Sequence, residues 1–338
     1  MPEITCTVLG ATGFIGGQIV RAALERGWRV RGVRRRPGAV GALDDVAERV
    51  EWVQADLIDP VSLIAAMRGA PLVFHAAAYY PQRAHDPWPV IQHSLAGMRN
   101  VLAAARSAGV RRIVYTSTLS TVGPPGLPGR LANEDDLYMP GSVGTPYFEA
   151  KWMMEQEVMR ACAAGMDAVV VIPSTVFGPG DVKPTTSALM IQVARRRMPV
   201  FVAGSINVVD GRDVARGQIR AAERGKSGRR YILGGHNMSI EQMLATIAQA
   251  AGVRPPRIKF PLSLAGWLGR MGAWLGIPFA GQLQAIRHWQ ALDGSRAQQE
   301  LGLPEPRPFE QTCQDTLEWF RSHGYLAPLE KRSREEAE

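Results

Sequence analysis

Thr5-Cys-Thr-Val-Leu9-Gly10-Ala-Thr-Gly13-Phe-Ile-Gly16 is the stretch on which the fold turns. A short β-branched apolar run meets three glycines spaced three apart, and helical apolar spacing continues from Ile15 to Arg26. That order predicts strand, glycine loop and helix. Gly10 suits a tight turn, Gly13 lets the backbone approach a pyrophosphate closely, and Gly16 lets the helix pack on its strand. The helix N-terminus then offers unpaired N–H groups and a positive dipole end to an anion. The stretch therefore reads as a nucleotide-binding element.

Working outward, Trp28–Val33 reads as a second strand, followed by Val50–Gln54, Leu72–His75, Arg112–Thr116 and Ala168–Ile172. Helical patterns lie between them at Pro60–Arg68, Val90–Ala108 and about Tyr147–Ala164. Such alternation predicts an α/β fold, a Rossmann-type doubly wound parallel sheet with its ligand crevice at the carboxyl ends of the strands. Beyond Pro173 the pattern becomes irregular: a helix over Val214–Arg224, a strand over Arg230–Leu233, and a helix opening at Ser239, with Gln242 completing a capping-box pattern. The expected division is a dinucleotide-binding domain over residues 1–175 and a smaller C-terminal substrate lobe over 176–328, some of whose elements return to the sheet. A charged tail fills 329–338.

The 338 residues are enough for one large or two medium domains, and 46% hydrophobic with 21% charged residues excludes a disordered or fibrous chain. The net charge of +8 fits phosphate-bearing ligands without selecting among them. Cys6, Cys162 and Cys313 are odd in number and far apart, which offers neither a disulfide framework nor metal-ligand spacing and points to a reducing, cytoplasmic setting. The N-terminus shows no signal-peptide pattern. The apolar stretch Phe260–Leu283 carries Trp267, Trp274 and Phe279 but is broken by Arg270, glycines and Pro278, so it is too interrupted to span a bilayer. It reads as core or as a lid over a greasy substrate, with peripheral membrane contact as the sharper version. The arginines are dispersed, which argues against nucleic-acid binding.

The chemistry-bearing residues cluster at expected strand ends. Where an acid after the second strand would favour NAD, this chain has Arg34-Arg35-Arg36, suited to a 2′-phosphate; NADP(H) is favoured, with NAD(H) the alternative. Arg35 is the first candidate and Arg34 the second. Asp56, after the third strand, reads either as a contact to the adenine edge or as a plain loop aspartate. Tyr147 and Lys151 stand one helical turn apart on one face. A phenol ordinarily loses its proton near pH 10, and a neighbouring ammonium favours the phenolate. With Thr116-Ser117-Thr118 closing the fifth strand, hydroxyl, phenol and ammonium would together bind and protonate a carbonyl.

These motifs resemble the extended short-chain dehydrogenase/reductase family, of the NAD(P)-dependent epimerase/dehydratase type. They are Gly10–Gly16, His75-Ala-Ala-Ala78, Tyr115-Thr-Ser-Thr118, Tyr147-Phe-Glu-Ala-Lys151 and Pro173–Gly180, in the family's order and spacing. The likeness spans roughly residues 4–325 and is closest to dihydroflavonol-reductase-like proteins, 3β-hydroxysteroid dehydrogenases and sugar epimerases. It implies a catalytic set of Thr118 (with Ser117 as the fallback), Tyr147 and Lys151. It implies cofactor contacts from Gly10, Thr12, Gly13, Phe14, Ile15 and Gly16, and from Arg34, Arg35, Asp56 and Leu57. Ala76, Ala77, Pro173, Val176, Tyr147 and Lys151 complete that set, and no metal is implied. A homodimer follows from the same resemblance.

Three departures bear on the substrate. Ile172 stands where the family's sugar epimerases place an asparagine, Ile206 where they place an arginine, and Ser94 where an asparagine is frequent. Apolar side chains at the first two positions would leave a sugar nucleotide's pyrophosphate unpaired. The expected activity is NADP(H)-dependent interconversion of an apolar ketone and its secondary alcohol, with an isoprenoid, sterol-like or polycyclic skeleton. The alternatives are a nucleotide-sugar epimerase or dehydratase and a non-catalytic NADP-binding scaffold. His75 reads as structural, Arg195–Arg197 as a solvated helix end, and Trp289 and Trp319 as packing residues.

Overall fold

A computed structural model describes residues 4–77, 87–127, 129–143, 145–260 and 290–327. The chain begins with β1 (Thr5–Leu9), α1 (Phe14–Glu25), β2 (Arg29–Arg34), a 3₁₀ turn over Asp44–Arg49, and β3 (Val50–Gln54). Next come α2 (Pro60–Met67), β4 (Leu72–His75), α3 (Pro87–Ser107), β5 (Arg112–Thr116), a 3₁₀ turn over Leu119–Thr121, α4 (Pro146–Ala163) and β6 (Ala168–Pro173). Then follow β7 (Thr175–Phe177), α5 (Ala188–Ala194), β8 (Val200–Val202), β9 (Ser205–Asp210), α6 (Gly211–Arg224) and β10 (Arg230–Leu233). The rest is β11 (His236–Ser239), α7 (Ile240–Ala251), β12 (Ile258–Phe260), α8 (Ser295–Leu301) and α9 (Phe309–Ser322).

Seven strands form one parallel sheet in the order β10-β6-β5-β4-β1-β2-β3. The order reverses between β1 and β4, the position where a doubly wound sheet opens its crevice. Alternate side chains of each strand enter opposite cores. Leu9, Val73, Ile113 and Tyr115 pack with α2, α3 and α4 on one face. Val8, Phe74, Val114 and Tyr231 pack with α1, α6 and α8 on the other. Burial on both faces explains why β6 reads as an unbroken apolar run.

Local signals set the helix ends. Asp59 caps α2 through the Val61 and Ser62 amides at 3.0 and 3.3 Å, with Pro60 in the first turn. Ser239 and Gln242 form the reciprocal capping box that opens α7, and Gly252 at φ +68° closes it.

Beyond Pro173 a third core, built from α5, α7, α9 and β9, carries a small sheet in the order β11-β9-β7 and the β8–β12 pair. Except for the six-residue β9, these strands have three or four residues, too short to show a period, and they were not legible as strands in the sequence. The apolar stretch after Phe260 and the tail 329–338 lie outside the described residues. Among the described residues no helix is long and apolar enough to cross a membrane.

Candidate active site

In-register pairing brings the ends of β1, β2, β4 and β5 to one rim: Leu9 pairs with both Val33 and His75, and His75 pairs with Tyr115. The glycine loop leaves β1 at this rim. Gly10 takes φ +83°, and a Cβ there would stand 2.8 Å from the backbone of Ala77, so only glycine fits. A Cβ at Gly16 would reach 2.0 Å from the Gly10 carbonyl. Gly13 differs. Its φ of −87° is ordinary, it is exposed, and an added Cβ would meet only the Gly10 oxygen, at 3.3 Å. The open space over Gly13, an α1 N-terminus with no side-chain cap and no acid in its first turn, and the nearby Ala76 and Ala77 backbone fit a dinucleotide pyrophosphate. Thr12, Phe14 and Ile15 are half-buried around the loop. Phe14 also has a packing role, because its ring lies where a Cβ on Gly211 would reach it at 2.8 Å.

At the end of β2 the two candidate arginines separate. Arg34 lies 5.2 Å from the Trp52 ring centre and donates to the Ala39 carbonyl at 3.5 Å. The Arg35 side chain is exposed and makes no hydrogen bond or ion pair among the described residues; its carbonyl is held by Gln54 at 3.2 Å. Asp56 is exposed and accepts from the Ile58 amide at 3.1 Å. Leu57 is half-buried and its carbonyl receives Asn100 at 2.9 Å. Pro173 is buried at the end of β6, while Val176 is half-buried on β7.

The catalytic candidates come from β5, the turn after it, and α4. Tyr147 is half-buried and Lys151 buried on α4. The Lys151 Nζ lies 5.7 Å from the Tyr115 ring centre and makes one long hydrogen bond, 3.5 Å to the Thr116 carbonyl. Burial lowers its pKa to about 8, while the Glu155 carboxylate opposes the shift. An ammonium with three donors and one weak acceptor fits the ribose hydroxyls of a dinucleotide. Thr118 is half-buried, and its Oγ1 receives only a long contact, 3.4 Å, from the Ser120 amide. Ser117 is buried and its hydroxyl is committed: it donates to Glu155 in a short hydrogen bond and lies 3.3 Å from Thr121 Oγ1. That commitment favours Thr118 over Ser117 for substrate contact. His75 is buried with both ring nitrogens unpaired among the described residues, and burial, then the Lys151 charge, lowers its pKa to about 3.

The description of the NAD dependent epimerase/dehydratase family matches residues 6–234. The chain belongs to that family. A putative dihydroflavonol 4-reductase of Synechocystis is 35% identical over 336 residues, covering 94% of this chain and 95% of the relative. Sterol demethylase protein B of Methylococcus capsulatus is 32% identical, covering 96% of this chain and 100% of that one. Among solved structures, a nucleoside-diphosphate-sugar epimerase from Pseudomonas aeruginosa is 28% identical with a TM-score of 0.80, over 96% of this chain and 99% of that one. The protein is thus an NAD(P)-dependent oxidoreductase of the extended short-chain type.

Sequence reasoning missed the charges behind this family's site. Glu155 follows Lys151 by four residues, so it shares the helix stripe of Tyr147 and Lys151, and that spacing was the available signal. Its partner Arg230 is on β10, at the edge of the sheet, where no local pattern points to it.

Proposed function

We propose that this protein is an NADP(H)-dependent reductase of an apolar ring ketone, acting by hydride transfer with Tyr147 as acid and base. The observation that carries the reading is the placement of Ile172 and Ile206. Both are almost fully buried, Ile172 in the core under the sheet and Ile206 in the third core. The positions that serve sugar-nucleotide recognition in the resembled epimerases are built into apolar packing here, where a pyrophosphate would have no partner. The Arg35 guanidinium at the end of β2, unpaired among the described residues, supports a 2′-phosphate and hence NADP(H). The names of two relatives, a dihydroflavonol reductase and a sterol demethylase protein, support a ring ketone or its alcohol.

When bound, the nicotinamide supplies the hydride that reaches the carbonyl carbon. The rest is the work of this chain. Thr118 Oγ1 donates to the carbonyl oxygen and orients it. The Tyr147 hydroxyl passes its proton to that oxygen as charge develops. The Lys151 ammonium stabilises the phenolate left behind and holds the cofactor ribose. In the oxidative direction the same groups run in reverse.

A panel of ring and open-chain ketones, assayed with NADPH and with NADH, tests the reading. The expected result is NADPH oxidation with at least one ring ketone. No NADPH oxidation across the panel, together with interconversion of UDP-glucose and UDP-galactose without added cofactor, would overturn it.

A further inference from the structure

Behind Thr118 lies a buried ionic cluster that touches neither the glycine loop nor the arginine turn. Glu155 is about 1% exposed, and its Oε1 stands 2.7 Å from Arg230 Nε, whose side chain is 8% exposed. Its other oxygen receives the Ser117 hydroxyl. Arg230 continues outward. Its Nη2 donates to the Thr121 carbonyl at 2.9 Å and to Thr121 Oγ1 at 3.2 Å, and its Nη1 donates to the Glu134 carbonyl. Thr121 Oγ1 in turn donates to the Thr118 carbonyl at 2.9 Å. The residues on both sides of Thr118 are therefore tied to one ion pair, and one member of that pair sits on the stripe of α4 that carries Tyr147 and Lys151.

The attraction between the two charges does not by itself explain this arrangement. Desolvating two charges offsets most of their attraction, and apolar replacements of similar volume are commonly neutral or stabilising. What an apolar pair cannot supply is direction. Directional hydrogen bonds from Ser117 to Glu155 and from Arg230 to the Thr121 and Glu134 carbonyls fix the turn against the helix, and a displacement of about 1 Å can cost catalysis roughly 100-fold.

We propose that the buried Glu155–Arg230 pair is a positioning element of this enzyme, holding the Ser117–Thr121 turn against α4 so that Thr118 faces Tyr147 and Lys151. The inference rests on the catalytic reading given above. Neither residue touches the substrate; both act through Ser117, Thr121 and the helix.

The test replaces both charges together, as Glu155→Met with Arg230→Met, and measures melting temperature, NADPH affinity and the turnover of the ketone found by the panel. The double variant leaves the Ser117 hydroxyl and the Thr121 and Glu134 carbonyls without these partners, so we expect a melting temperature below that of the wild type. NADPH affinity should stay within about tenfold, while kcat falls on the order of 100-fold, the loss typical of a misplaced catalytic group. Wild-type kcat in this variant would reduce the pair to packing and overturn the proposal. Glu155→Gln, which keeps the shape and an acceptor for Ser117, serves if the double variant does not fold. Here kcat should fall at least about tenfold with KM little changed. Unchanged kcat would again overturn the proposal. Tyr147→Phe, measured alongside, separates the two layers. Retained turnover there would sink the catalytic reading itself, whereas an inactive Tyr147→Phe beside fully active Glu155 variants would sink only the positioning role.

Discussion

The two ends of the crevice hold their positive charges in opposite ways. At the end of β2, Arg35 is exposed and unpaired among the described residues, and Arg34 rests on the face of Trp52. At the other end, Lys151 on α4 and Arg230 on β10 are buried, Lys151 against one distant carbonyl and Arg230 in a network of acceptors. An exposed charge costs folding almost nothing and is available to a ligand arriving from solvent. A buried charge costs folding and is kept where position or proton affinity is needed. The first end is therefore suited to choosing between dinucleotides, and the second to chemistry.

Substitutions at the two ends should fail differently. The largest effect belongs to Tyr147→Phe, which keeps the ring and removes the proton. Turnover should fall about 1,000-fold, within the usual range for losing a general acid, while NADPH binds nearly as in the wild type. Isothermal titration beside steady-state kinetics checks both halves. Lys151→Met should lose both cofactor affinity and turnover, yet make the fold more stable. Lys151 has an ordinary pKa of 10.5 and a folded value of about 8, so the ammonium destabilises the fold fully below pH 8, and this cost vanishes as pH rises through 10.5. At pH 7 the variant should gain about 3 kcal/mol in denaturant unfolding. The same titration predicts that wild-type turnover declines as pH rises through 8.

At the other end, Arg35→Ala should weaken NADPH by about 10- to 150-fold and leave NADH unchanged, because a charge-assisted contact to the 2′-phosphate contributes about 1.5–3 kcal/mol. Equal effects on both dinucleotides would erase the contrast between the two ends. The smallest effect concerns His75, between them. Its pKa falls from 6.5 to about 3 on burial, so the unfolded chain takes up a proton that the folded chain refuses. Stability should drop by about 1.4 kcal/mol between pH 7.5 and 5.5 from this group alone, and His75→Leu should remove that slope.

The exposed end was legible in the sequence because its parts are local. Gly10, Gly13 and Gly16 follow a strand directly, and Arg34–Arg36 follow the next. Tyr147 and Lys151 were legible for the same reason, as one helical turn. The Glu155–Arg230 pair was not, because 75 residues and the return of β10 to the sheet edge separate its members. Nor was the hydrogen bond from Ser117 to Glu155, which occupies one of two adjacent hydroxyls. The small sheets of the third core were hidden for another reason: three-residue strands show no period, and tertiary packing defines them.

Net hydride transfer from NADPH to a ketone is the claim on which the whole account stands. The most direct test uses NADPH carrying deuterium on the transferred face of the nicotinamide C4, with the product alcohol analysed by mass spectrometry. The account predicts one deuterium at the carbinol carbon for each NADPH oxidised. Product formed without deuterium and without NADPH loss, as when an enzyme removes and returns the substrate's own hydride, would contradict it.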